Sequence, residues 1–159
     1  LDMAAEDAKL QSPVGVFQAA LGDELAEHLS PPNTGGLLVA VHLWQRLLDK
    51  GLSRFGEVYY LGKLPHGPDD ALDDCLVGFY EGMEARFFFS ESTGDLTGVE
   101  LFAADDADPC ELSFSEFTEF AGRRLPKRWR IQHAGADYAE LVVESWTFGP
   151  RPAPPPQEN

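Results

Sequence analysis

The stretch from Gly35 to Lys50 constrains the fold of this chain more than any other. On a helical wheel, His42, Gln45, Arg46 and Asp49 form one narrow polar stripe, while Leu37, Leu38, Val39, Val41, Leu43, Trp44, Leu47 and Leu48 occupy the rest of the circumference. A helix lying on a protein surface needs an apolar stripe only somewhat wider than about 100°. This one must be enclosed on most sides, so whatever surrounds it has to curve. Its start is also marked. Ser30-Pro31-Pro32-Asn33-Thr34 stops the preceding element, and Asn33 or Thr34 is suited to accept hydrogen bonds from the first free backbone N–H groups.

The material available for the enclosure is β-structure. Strand patterns follow one another between turn signals at Glu57–Lys63, Asp74–Tyr80, Glu84–Ser90, Asp95–Ala103, Glu111–Phe120, Lys127–His133 and Tyr138–Phe148. Links as short as Glu81-Gly82-Met83 and Glu91-Ser92-Thr93-Gly94 leave only antiparallel hairpin pairing open. Ala85, Phe87 and Phe89 alternate with Glu84 and Arg86, and Trp129 and Ile131 alternate with Arg128, Arg130 and Gln132, so one face is buried. Tyr59, Phe88, Val142 and Trp146 fall on the opposite phase, so the second face is not wholly polar. A one-residue phase slip between Phe114 and Phe117 predicts a bulge. The fold class expected is α+β: a curved antiparallel sheet of about seven strands, a half-barrel, wrapped around an apolar helix.

The N-terminal part is less regular. Leu1 to Leu10 is expected as an edge strand entering a turn at Ser12-Pro13. The spacing of Phe17, Ala20, Leu21, Leu25 and Leu29 predicts a helix over 17–29, with Gly22 as its weak point. Residues 1–149 are expected to form one domain. Residues 150–159, with five prolines and no periodicity, read as a Pro-rich tail.

A length of 159 residues with 43% hydrophobic and 25% charged residues fits one globular domain with a sizeable core. With 27 acids against 12 bases the net charge is -15, and the field around the chain repels phosphates. Nucleic acid and anionic membrane surfaces are therefore excluded as expected partners. The longest apolar run, Gly35 to Trp44, contains His42 and falls far short of the roughly twenty residues that span a bilayer. The chain begins at Leu1 without an initiator Met, a basic start or an apolar signal core, and is expected to be a piece of something longer. Cys75 and Cys110 lack metal-ligand spacing; two small core residues is the favoured reading, and a disulfide between them the other.

No GxSxG, Walker-type loop, GxGxxG or HExxH occurs, and His28, His42, His66 and His133 fall in four different elements. No catalytic residue, cofactor or metal site is expected. His42 is read as satisfied or facing solvent. Asp69, Asp70, Asp73 and Asp74 form one acidic cluster, and Asp105, Asp106, Asp108 and Glu111 another. Neither has calcium-loop spacing, so both read as solvated connections. Arg123, Arg124, Lys127, Arg128 and Arg130 gather five of the twelve bases in eight residues. They are either the outer face of one strand, balanced by acids such as Glu116, Glu119, Glu140 and Glu144, or a docking patch for an acidic partner. The aromatic residues Phe87, Phe88, Phe89, Phe102, Phe114, Phe117, Phe120, Trp129, Trp146 and Phe148 are a plain core on one reading. On the other, a lipid or acyl pocket lies between sheet and helix, with Trp44, Phe87, Phe89, Phe102, Phe114, Trp129 and Trp146 as candidate lining.

The run Gly122-Arg123-Arg124-Leu125-Pro126-Lys127-Arg128, between Phe114-x-x-Phe117 and Trp129-x-Ile131, resembles the outer-membrane lipoprotein carrier and sigma-regulator group of half-barrel proteins. That resemblance implies a curved antiparallel sheet around a helix, with a hydrophobic cleft for acyl chains or peptide-like partners. From Pro31 to about Trp146 the chain also resembles a C-terminal module of planctomycete trypsin-like or HtrA-type serine proteases. The motifs are Gly35-Gly36-Leu37-Leu38, His42-Leu43-Trp44-Gln45-Arg46-Leu47-Leu48, Phe55-Gly56-Glu57-Val58-Tyr59-Tyr60-Leu61-Gly62, Asp108-Pro109-Cys110-Glu111 and Gly122-Arg123-Arg124-Leu125-Pro126. This implies an upstream protease domain carrying the catalytic triad, and a periplasmic or secreted location. The function expected is a non-catalytic, extracytoplasmic binding or docking module for a hydrophobic or extended ligand, a lipid, acyl chain or peptide, or for an attached protease. The alternative is a structural or assembly subunit with no ligand pocket. A third reading is an enzyme of unrecognised type.

Overall fold

Thr34 and two glycines set the entry of the principal helix, which packs against an antiparallel sheet. The computed structural model describes residues 1–3, 7–12, 15–21, 25–66 and 71–147. Within these, β1 (Asp2–Met3), β2 (Asp7–Ser12) and β3 (Gly15–Ala20) form a small antiparallel sheet, followed by a 3-10 turn at Leu25–Glu27. Two helices follow, α1 (Leu37–Lys50) and α2 (Leu52–Phe55). The strands β4 (Glu57–Pro65), β5 (Leu72–Tyr80), β6 (Met83–Ser90), β7 (Leu96–Phe102), β8 (Cys110–Phe120), β9 (Arg123–His133) and β10 (Ala136–Val142) then make one antiparallel sheet in strict chain order. These seven correspond to the seven expected after the helix, except that the last, expected over Tyr138–Phe148, ends at Val142, and β1–β3 form a second sheet.

Thr34 is fully buried and acts as the cap. Its Oγ1 accepts from Gly36 N at 3.3 Å and Leu37 N at 3.1 Å, and donates to Pro31 O at 2.7 Å. Gly36 turns the chain at φ 106°, where a Cβ would also meet Leu29 Cδ2 at 2.8 Å. From Leu37 to Trp44 every residue is buried. Eight consecutive residues exceed two turns at 3.6 residues per turn, so no side of this half of the helix faces water. It packs on β7 and β8 of the large sheet and on β2 of the small one. Enclosure stops there: Leu48, expected inside, is 57% exposed.

One apolar row runs across the large sheet beneath the helix, pairing Leu76 with Phe87, Phe87 with Val99, Val99 with Leu112 and Leu112 with Ile131. Cys75, Val77 and Phe88 form a second, smaller buried cluster with Leu64, separate from this core. Register shifts at Tyr60/Gly62, Phe88/Phe89 and Asp137/Ala139 are bulges of the kind that bend strands. At the phase slip after Phe114 the β8–β9 register does not change. Glu116 instead adopts a left-handed backbone, φ 55°, which re-aims Phe117 towards the core without an extra residue.

The helix expected over 17–29 is replaced by β3 and the 3-10 turn. Phe17, Ala19 and Leu21 fit a two-residue period as well as the others fit a helical one, and pairing with β2 from Ala8↔Ala19 to Ser12↔Gly15 selects the strand. The strand expected at Leu1 to Leu10 is split between β1 and β2. Pro13, Gly22, Asp69, Asp70, Phe148 and the Pro-rich segment 150–159 lie outside the described residues.

Replacing Thr34 with Val leaves the Gly36 and Leu37 N–H groups buried without their acceptor. The expected cost is about 1–2 kcal/mol of unfolding free energy in urea titration, with Thr34→Ser recovering most of it.

Candidate functional site

Four of the seven candidate pocket residues meet in one place. The Trp44 ring on α1 lies 4.7 Å from Phe114, 5.2 Å from Trp129 and 6.3 Å from Trp146, centroid to centroid. Phe114 and Trp129 are 5.4 Å apart, and Trp129 and Trp146 5.8 Å. These are contact separations for tilted and edge-on aromatic pairs, so the rings occupy the space between α1 and β8–β9 themselves. Phe87 is buried further along the sheet, edge-on to Phe55 of α2 at 5.5 Å. Phe55 can lie on β5 because residue 78 is Gly; a Cβ there would meet the ring at 2.5 Å. Phe89 is half-buried against the same core, whereas Phe102 pairs with Glu84 and lies under the Arg86 guanidinium at 4.4 Å.

The basic cluster is largely engaged. Arg124 grips Asp95 with two bonds of 2.8 Å, and Arg130 grips Asp137 at 2.7 and 2.9 Å. Arg128 bridges Glu116 at 2.8 Å and Glu140. These guanidinium bonds hold the carboxyls of Asp95 and Asp137 below the usual carboxylate range. Arg123 pairs with Phe120 across the β8–β9 ladder. Lys127 lines a groove of about 290 Å³ with Thr118, Glu119, Phe120, Val143, Glu144, Ser145 and Trp146. The sequence pointed to Glu116 and Glu140 as balancing acids. Asp95 and Asp137 are brought in by turns that set their reach.

His42 is not solvent-facing: it is 7% exposed, and its Nδ1 finds no hydrogen-bond partner among the described residues. Its place on the polar stripe misled, because the stripe turns towards α2 and the end of β5. There Arg46 donates to Phe55 O at 2.7 Å and Arg54 O at 3.2 Å, with its guanidinium 3.7 Å above the Tyr80 ring. Burial first, then the Arg46 charge, lowers the His42 pKa. His66 stacks on Phe88 at 4.1 Å, and its Nδ1 stands 3.4 Å from Asp73 Oδ2, too long for a good hydrogen bond, while burial lowers its pKa despite the Asp73 charge. Asp73 is itself held by Thr97 Oγ1 at 2.5 Å. His133 Nδ1 lies 3.0 Å from Pro109 O.

Cys75 and Cys110 are both free, one in each buried cluster, so the disulfide reading is set aside. Burial pushes their thiols up to about 11 and about 12, which keeps them protonated and poorly nucleophilic. Among the described residues no three His, Cys, Asp or Glu side chains converge as a metal set.

The feature not foreseen from the sequence is that β4, among the described residues, is an unpaired edge of the large sheet. In β4, Tyr59 is 46% exposed, Tyr60 57% and Leu61 45%. Beside them a groove of about 520 Å³ is lined by Leu52, Ser53, Gly56, Val58, Tyr59, Tyr60 and Leu76. Tyr59 stacks on the exposed Phe79 ring at 6.2 Å, and Tyr60 Oη donates to Asp74 Oδ1 at 2.7 Å. The run Tyr59-Tyr60-Leu61, three large residues without alternation in a strand, was the available signal. No protein family, curated protein or solved structure matches the chain.

Glu100 faces Glu111 directly across β7–β8. Burial raises its pKa; Arg86 partly offsets this, while Glu111 and Glu84 push it further up. A raised folded-state pKa means stability that is full below the ordinary glutamate range and is lost as pH rises through the shifted value. Glu100→Gln is therefore expected to melt higher than the parent at neutral pH, with the gap closing at pH about 4 or below. Differential scanning fluorimetry across pH reads this directly.

Proposed function

We propose that this chain is a non-catalytic docking module, a half-barrel curved around α1, that holds an extended or hydrophobic ligand at the β4 edge of its sheet. One contrast carries the reading. The aromatic residues that an interior carrier would need as cavity lining are packed ring against ring, whereas large apolar side chains stand exposed along β4 and around the adjoining groove. Exposed, contiguous apolar surface on a soluble domain marks a place of association. The resemblance to accessory modules of serine proteases supports an extracytoplasmic setting beside a larger enzyme. In that setting the edge recruits a substrate or partner segment, while Arg124, Arg128 and Arg130 of the basic strand β9 are tied in ion pairs.

The assembly-subunit alternative has one observation in its favour, the self-filled interior. It differs in requiring a permanent neighbour on the same edge. Native mass spectrometry of gently purified protein is expected to give the mass of the bare chain. A stoichiometric co-purifying lipid would overturn the edge reading and restore the interior carrier, and an obligate protein subunit would favour the assembly reading.

A further inference from the structure

We infer that the β4 edge accepts a short, apolar, basic polypeptide segment as an added β-strand, a proposal that rests on the docking reading above. The two edges of the large sheet are β10 and β4, and they are treated differently. β10 carries a bulge at Asp137/Ala139 along its short length. The exposed acids of β10, Asp137 and Glu140, are held by Arg130 and Arg128. Free edges are usually blunted by bulges, charges or proline. On β4 most of those devices sit in the second half: the shift at Tyr60/Gly62, Lys63 and Pro65. Nearer its start, Glu57 is a charge and Leu61 is itself the bulged residue, so the stretch free of these devices is Val58 to Tyr60, about 10 Å of backbone.

An added strand presents side chains alternately to the two faces, and this edge has an apolar seat on each. Val58, Tyr60, Leu76 and Leu52 line the groove on the helix side. Tyr59, which borders the same groove, alternates with Val58 and Tyr60 along the strand and stacks its ring on Phe79 on the other face. Main-chain bonds to the edge would supply affinity and the two seats would select successive apolar or aromatic residues. Charge selects the flanks. The chain is at -15 overall, and Lys63 near the edge is committed to Glu91 at 2.6 Å. A second copy of this chain, or any acidic segment, meets a repulsive field, while Lys- or Arg-flanked segments are drawn in.

The test uses peptides that share one Val/Tyr/Leu core and are flanked by Lys, by Ser or by Glu, titrated by calorimetry and followed by amide NMR. At low salt the Lys-flanked peptide is expected to bind at least about tenfold tighter than the Ser-flanked one, with the gap narrowing as salt is raised. Shifts should concentrate at residues 57–61, 52–53 and 76–79. Leu61→Lys, at an exposed site and with an unchanged melting temperature, should weaken the Lys-flanked peptide about tenfold or more. Equal binding of the Lys- and Ser-flanked peptides would overturn the basic partner while leaving edge docking intact. Binding of none of them, or shifts confined to the Trp146 groove, would overturn strand addition. Concentration-dependent dimerisation with the same β4 shifts would make a second copy the occupant and overturn the proposal.

Discussion

The burial of the first two turns of α1 governs the rest of this molecule. Eight successive residues from Leu37 to Trp44 are out of water on every side, and each large aliphatic side chain so placed contributes about 1.5–3 kcal/mol of transfer free energy. No single flat sheet can cover a cylinder on all sides. The cover here comes from two directions, β7 and β8 of the large sheet and β2 of the small one. The irregular N-terminal part is therefore a structural necessity: Ala8, Leu10, Ala19, Leu21 and Leu25 join the same core as Phe87, Leu112 and Ile131.

That constraint decides where ligands can go. With Trp44 wedged among Phe114, Trp129 and Trp146, the interior is occupied by its own side chains, and an acyl chain entering there would have to displace aromatic contacts. The charged outer strand β9 is likewise committed, because Arg124, Arg128 and Arg130 each hold carboxylates in two-point contacts. Such exposed pairs add little stability individually. They do organise the face and leave less of it open for a partner. Among the described residues, the start of β4 and the groove beside α2 present exposed apolar side chains instead.

Much of the fold was legible because it is written in local signals. The seven strands are bounded by turn residues, the antiparallel order follows from short links, and the Thr34 cap is visible three residues before the helix. The parts that were not legible depend on tertiary choice. Phe17 to Leu29 satisfies two periodicities, and only the presence of β2 selects the strand. His42 belongs to a polar stripe on the wheel, yet its part of the stripe is buried while Asp49 at the far end is exposed, which no periodicity can foresee. Of the candidate pocket residues, Trp44, Phe114, Trp129 and Trp146 meet ring against ring, while Phe102 lies under Arg86. The β4 edge escaped notice because a strand's place in a sheet is set by topology, and Tyr59-Tyr60-Leu61 looks the same in a central strand as at an edge.

The buried first two turns of α1 coexist with exposed apolar side chains on the edge strand β4. Native-state hydrogen exchange on the ligand-free chain measures both at once. The account predicts that amides from Leu38 to Trp44 exchange only through global unfolding, while outward-pointing amides of Glu57 to Leu61 exchange by local opening, orders of magnitude faster. Rapid exchange along Leu38 to Trp44, or protection at β4 equal to that of β6 and β8, would contradict it.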